Sequence, residues 1–291
     1  RINYGENMSK KKLTRRRIIK SIGLVTASTL MSACDTGGTP DKPSKATKSI
    51  KKTFDWKLVT TWPKNFPGLG TGAQRLADSV NKMSEGRLNI KLYAAGEIVP
   101  AFESFDAVRE NKAQMFHGSP YYWINKNKST PFFGAVPGGL TAQEHNAWIN
   151  YAGGQELWDK LYAKFGLKSF MAGNSGTQMG GWFLKEIKSK DDFKGLKMRI
   201  PGLAAEVLNR MGGTAVALPG GEIMPSLQSG AIDATEWVGP WNDLAFGFYK
   251  ITKYYYGPGF HEPSSVLECS INLEAYNSLD NDLKNILQFA C

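Results

Sequence analysis

Past Phe54 the apolar positions of this 291-residue chain switch repeatedly between two periods. Asp55–Thr60 (DWKLVT) reads as a strand. In Leu69–Ser84, residues Ala73, Leu76, Ala77, Val80 and Met83 recur at spacings of three and four, which gathers them on one face of a helix. Leu88, Ile90 and Leu92 alternate at the period of a strand. Ala101–Glu110 reads as a helix and Gln114–His117 as a short buried strand. This βαβαβ order predicts a parallel sheet with helices outside it. A helical region follows over Gln143–Phe165, then strands at Leu167–Met171 and Met179–Leu184. A lysine-rich turn leads to a short helix at Lys190–Gly195 and a strand at Lys197–Ile200, stopped by Pro201-Gly202. The alternation continues with a helix at Leu203–Met211, a strand at Ala215–Leu218, a helix at Glu222–Ser229 and a strand at Ala231–Glu236. Gly257–Glu262 begins another crossing segment, and Ile286–Cys291 reads as an unfinished helix.

The pattern predicts an α/β chain of two lobes: residues 54–170 with later return segments, and residues 171–265. Ligands of open α/β sheets bind outside the carboxyl ends of the strands. Gln178, Arg199, Glu236 and Trp237 all fall at strand ends or in the turns after them. Arg199, between Met198 and Ile200, points to the opposite sheet face from these apolar neighbours. Its planar fork of donors suits a carboxylate, although the residue pattern alone equally describes a surface salt bridge. Lys197, on the same face, is a second cationic candidate or a solvated lysine. Glu236 ends an apolar strand, where an unpaired carboxylate is costly; it is either a surface group, a partner of Arg199 or a site residue. Tyr121, Tyr122 and Trp123 follow a strand, and Trp62, Phe66 and Trp241 are candidates for pocket wall or for ordinary core.

Charge changes the picture only at the amino-terminal end. The formal charge is +10, but residues 1–52 carry thirteen of the 36 basic and three of the 26 acidic residues, which leaves 23 of each for the remainder. The globular part therefore gives no electrostatic case for nucleic acid. From Met8, a basic stretch with Arg15-Arg16-Arg17 precedes the apolar run Ile22–Met31, the layout of an export signal of the twin-arginine kind. Leu30-Met31-Ser32-Ala33-Cys34 resembles a lipoprotein processing site, so residues 1–34 read as an export signal. Residues 35–53 read as a disordered tether. Cys269 and Cys291 are expected to be buried and unpaired. No Cys/His spacing suits zinc, and no G-x-S-x-G, H-E-x-x-H or P-loop is present. The glycines of Gly68-Leu69-Gly70-Thr71-Gly72 read as a helix start.

Several ordered blocks carry a family resemblance: TTWPKNFPGLGTGAQRLAD, GSPYYW, MGGWF, G-x-K-x-R as Gly195-Leu196-Lys197-Met198-Arg199, LPGGEIMPSLQSGAIDATEWVGPWND and GPGFHEPSS. Together they resemble the solute-binding proteins of tripartite ATP-independent periplasmic (TRAP) transporters, in the branch that binds 2-oxo acids, from about Phe54 to the end. The resemblance implies a two-lobed periplasmic binding protein fold with the ligand cleft between the lobes. It also implies a long C-terminal helix exchanged between two subunits, which this sequence would stop short of. It places Arg199 on the ligand carboxylate and Tyr121, Gln178 and Trp237 around the ligand. A sodium ion is implied on Gln178, Glu236, the Trp237 backbone carbonyl and Glu262, with the 2-oxo acid chelating it through a carboxylate and a keto oxygen. The implied partners are a small carboxylate and integral membrane permease subunits, with no catalysis, and the implied place is the periplasm, tethered through a lipidated Cys34. Two alternatives stand beside this: a lactate or other carboxylate binder that uses calcium, and an exported α/β enzyme with Glu236 as base.

Overall fold

The computed structural model describes residues 52–291. The export signal, Cys34 and all but the last two residues of the tether lie outside those residues. Two five-stranded sheets organise the described chain. In the first, β1 (Phe54–Thr60) lies parallel to both β2 (Leu88–Tyr93) and β3 (Met115–Gly118). β10 (Val266–Asn272) then inserts antiparallel between β3 and β4 (Leu167–Asn174). In the second, β6 (Lys197–Arg199) is parallel to β7 (Thr214–Val216) and β8 (Ala234–Thr235), and β5 (Gly181–Phe183) is antiparallel to β8 and β9 (Tyr254–Tyr256). Both sheets are thus mixed, because the chain crosses between them twice and each crossing adds a strand running the other way. The parallel reading holds for β1, β2 and β3; the reversed strands are β10 in the first sheet and β5 in the second.

The helices follow the apolar periodicity closely. α1 (Leu69–Met83) buries Ala73, Leu76, Ala77 and Val80 against the first sheet. Full burial of a Leu or Val contributes about 1.5–3 kcal/mol each. Met83, the last residue of the helix, is exposed. The predicted helix at Ala101–Glu110 is a 3₁₀ turn at Ala101–Glu103 that passes into α2 (Ser104–Arg109). The helical region at 143–165 is two helices, α3 (Ala142–Tyr151) and α4 (Gly154–Tyr162). α3 opens with a capping box of Thr141 and Glu144. The chain then breaks at Gly153, whose φ of +83° is left-handed and suits glycine. Lys190–Phe193 is a single 3₁₀ turn. α5 (Gly202–Arg210), α6 (Gly220–Gln228) and α7 (Pro240–Phe246) complete the second lobe. α8 (Leu273–Asn277) and α9 (Asn281–Ala290) return to the first, where Leu283 and Leu287 join the core under α1. Both Cys269 and Cys291 are free thiols; Cys269 is buried and Cys291 half-buried. No helix among the described residues is long and apolar enough to cross a membrane.

Candidate functional site

Strand direction alone brings the polar site residues together. β6 and β8 are parallel neighbours with Arg199 opposite Thr235, so their carboxyl ends deliver Arg199 and Glu236 side by side. Both side chains are 1% exposed. Arg199 Nη1 donates to the Glu236 carboxylate at close range and to the Glu236 backbone carbonyl at 3.2 Å, while Nε donates to the Leu218 carbonyl at 3.1 Å. Nη2 makes only a 3.5 Å contact, to the Tyr122 hydroxyl, so one arm of the fork remains largely uncommitted. The guanidinium also lies over the Trp237 ring, 5.0 Å from its centroid. Lys197 is exposed at the other end of the strand and stands apart from this group.

Two crossing segments complete the polar cluster. The backbone N–H of Gln178 donates to the Glu262 carbonyl at 3.0 Å, and the N–H of Gly259 donates to the Gln178 carbonyl at 2.8 Å. These bonds hold Gln178 against the 259–262 stretch, while Met179 N–H bonds to Val238. Gln178, Glu236, Trp237 and Glu262 are all buried. His261, fully buried, lies with Nε2 3.3 Å from the second oxygen of Glu236. Burial lowers the His261 basicity, but the hydrogen bond and charge of Glu236, with the charge of Glu262, outweigh it and raise its pKa overall. Burial first, and the charge of Glu236 second, push the Glu262 carboxyl up to about 8, despite His261 and Arg199 nearby.

This cluster has the chemistry of a hard-cation site. Buried polar atoms are nearly always paired, yet the Gln178 amide oxygen and one Glu262 carboxylate oxygen have no partner. Carboxylate oxygens of Glu236 and Glu262 lie with a His261 nitrogen inside one 4.8 Å group, the sole such grouping among the described residues. The partnerless amide and carboxylate oxygens of Gln178 and Glu262, beside the Glu236 carboxylate, fit sodium or calcium. A cation among them would offset both the burial and the Glu236 charge that raise the Glu262 pKa.

The first sheet supplies the opposite wall. The carboxyl ends of parallel β1 and β3 lead into Trp62 and into Tyr121-Tyr122. Trp62, Leu69, Tyr121, Tyr122 and Leu267 face Gln178, Trp237 and Val238 across a small cavity of about 10 Å³, room for one water. Trp62 is fixed there because its Nε1–H donates to Nδ1 of His117 at 2.8 Å. Burial lowers the His117 pKa to about 4, so the ring is neutral and that nitrogen can accept. Burial and the neighbouring Glu262 hold the Tyr121 phenol well above its ordinary pKa, so it is a neutral donor.

Of the pocket-wall candidates, Trp62 lines the cavity. Phe66 packs behind it against Trp237 and Phe246. Trp241 does not line it: its side chain sits on the outer face of α7, 65% exposed. Sequence reasoning missed His261, the immediate neighbour of Glu262, and named Tyr122 only as part of an aromatic run; neither carries a spacing signal of its own.

A half-free arginine fork, an oxygen-rich cluster suited to a cation and aromatic walls thus lie together between two α/β sheets. The sequence matches bacterial extracellular solute-binding protein, family 7 (DctP), over residues 58–291, and the chain belongs to that family. It is 41% identical over 278 residues to a monocarboxylate 2-oxoacid-binding periplasmic protein of Nostoc sp. strain PCC 7120, spanning 96% of this chain and 75% of the relative. A TRAP periplasmic solute-binding protein from Pseudoalteromonas atlantica, solved with sodium and pyruvate, superimposes with a TM-score of 0.80 at 46% identity, over 82% of this chain and 72% of that one. One from Colwellia psychrerythraea, solved with calcium and pyruvate, does so with a TM-score of 0.79 at 48% identity, over 82% and 73%. The two-sheet architecture here matches those structures, and the chain is a TRAP solute-binding protein, a transport component that works with membrane permeases.

Proposed function

We propose that this protein captures a short 2-oxo monocarboxylate, pyruvate or a close homologue, together with sodium, and presents it to its permease without changing it. The observation that carries the proposal is the juxtaposition of a half-free Arg199 fork with the partnerless oxygens of Gln178 and Glu262. Arg199 would bind one carboxylate oxygen of the ligand through Nη2. The second carboxylate oxygen and the keto oxygen would face the cation held by Glu236, Gln178, Glu262 and the Trp237 carbonyl. Tyr121 and Trp237 would enclose the ligand from opposite sides, since both line the same small cavity. The relatives solved with pyruvate and either sodium or calcium support this pairing of anion with cation. Mass spectrometry of small acids released from purified protein tests the ligand. A 2-oxo acid is expected; a sugar acid or lactate in its place would refute it.

The same reading extends to delivery. The paired arginines of the leader would route the folded protein through the twin-arginine pathway into the periplasm, and Cys34 would carry a lipid that keeps it at the inner membrane. An Arg15→Lys, Arg16→Lys double variant is expected to accumulate inside the cell. Full export of that variant would exclude the twin-arginine route, and release of the protein from membranes by a Cys34→Ala change tests the lipid.

A further inference from the structure

A segment of the first lobe is gripped by the second at a place outside the ligand and cation set. After β1 the chain forms a compact loop, residues 63–69, whose backbone is largely satisfied within itself: Phe66 N–H bonds to Pro63, Leu69 N–H to Pro67 and Thr71 N–H to Phe66. One hydrogen bond joins this loop to the second lobe. Asn242, on α7 of the second lobe, donates its amide Nδ2–H to the Pro67 carbonyl at 2.7 Å. Asn242 is buried. The next residue of the loop, Gly68, has a φ of +69°, and a Cβ there would sit 3.0 Å from the Trp241 ring. The indole of Trp241, mostly solvent-exposed, therefore rests its inner edge on a position that only glycine leaves open. Phe66 enters the second lobe alongside, 4.5 Å from Phe246 and 5.8 Å from Trp237 between ring centroids.

The gripping helix is itself rigid. Asp243 accepts the N–H groups of Val238 and Gly239 with one oxygen, both at 3.1 Å. Its other oxygen accepts Trp182 Nε1–H at 2.9 Å and the Tyr255 hydroxyl at 3.0 Å. α7 is thus fastened to β5 and β9, and a pull on Asn242 is a pull on the whole second lobe. The gripped loop leads straight into Leu69, which lines the cavity.

We propose that Asn242 and Trp241 form an interlobe clasp: by holding Pro67 and Gly68, they position the Leu69 side of the cavity in the closed form and set the rate at which a bound acid leaves. Neither residue touches the cavity, so both act through the loop. The choice of acid as a probe rests on the proposed function; the clasp itself does not. The clasp stabilises the closed form with or without ligand, so its loss speeds dissociation more than it changes association.

The test is stopped-flow tryptophan fluorescence with pyruvate in sodium buffer on wild type, Asn242→Ala and Trp241→Ala, with small-angle scattering of the same proteins. Both variants are expected to release pyruvate about fivefold faster, the scale of one lost hydrogen bond, with association rates within twofold of wild type. Trp241 is mostly exposed, so Trp241→Ala keeps the test available if Asn242→Ala folds poorly. Unchanged release from Trp241→Ala and from any folded Asn242→Ala protein would overturn the clasp. If the wild type binds no pyruvate, the ligand assignment falls and scattering decides the clasp alone: a larger radius of gyration in the ligand-free variants supports it, and an unchanged one overturns it.

Discussion

Replacing Arg199 by lysine keeps the charge and removes the fork. In the structure Nη1 serves Glu236, Nε serves the Leu218 carbonyl, and Nη2 is the arm left for a ligand. A lysine ammonium reaching the same place would be drawn to Glu236, the nearest full negative charge, and could not also meet a carboxylate in the geometry of a planar fork. The ligand then loses one charge-assisted hydrogen bond, about 1.5–3 kcal/mol, which is roughly a 10- to 150-fold rise in Kd. The Leu218 carbonyl loses its Nε partner as well, at a cost of about 1 kcal/mol to the fold. Isothermal titration with pyruvate in sodium buffer reads the first effect and thermal denaturation without ligand reads the second. Unchanged affinity in a folded Arg199→Lys protein would remove Arg199 from the ligand and refute the reasoning.

Two further changes probe the surroundings. Tyr122→Phe removes the hydroxyl that faces Nη2 of Arg199 and is expected to weaken pyruvate binding about fivefold, one neutral hydrogen bond; titration showing no change would place Tyr122 in the wall only. Glu268, fully buried between Trp123 and Ser270, has its carboxyl raised to about 7 by burial, against those hydrogen bonds. The folded state therefore holds this proton where the unfolded chain has released it, so wild-type stability is full below about pH 4.5 and declines as pH rises toward 7, by about 3 kcal/mol in all. Glu268→Gln should flatten that decline, and parallel pH-stability curves for the two proteins would contradict the assignment.

The sequence revealed the elements with a strong apolar period and missed those that depend on the crossings. α1 was legible because Ala73, Leu76, Ala77 and Val80 fall on one face, and the core of the first sheet buries them. β10 was not, because a strand buried on both faces shows no alternation. The helical region read across 143–165 is broken at Gly153 by a left-handed turn that propensity alone does not locate. At the site, strand-end logic and the family blocks together brought Gln178, Arg199, Glu236, Trp237 and Glu262 forward, and the fold draws all five into one buried region. His261 stayed hidden because its partner Glu236 is 25 residues away and only the second crossing makes them neighbours. Trp241 reads as pocket wall or core from its type alone, whereas α7 turns its ring outward.

The central claim is that an anion binds beside two buried carboxylates because a cation lies among them. Two like charges about 4 Å apart at an effective dielectric near 20 repel by about 4 kcal/mol, and a bound cation reverses the sign of that interaction. Glu236→Gln keeps the shape of the site and removes one of its charges. The decisive measurement is pyruvate affinity of chelator-treated protein in sodium chloride against a large organic cation salt at equal ionic strength, for wild type and Glu236→Gln. Wild type should bind at least tenfold more tightly in sodium, and Glu236→Gln should lose most of that difference. Equal wild-type affinity in the two salts would contradict a cation-dependent site.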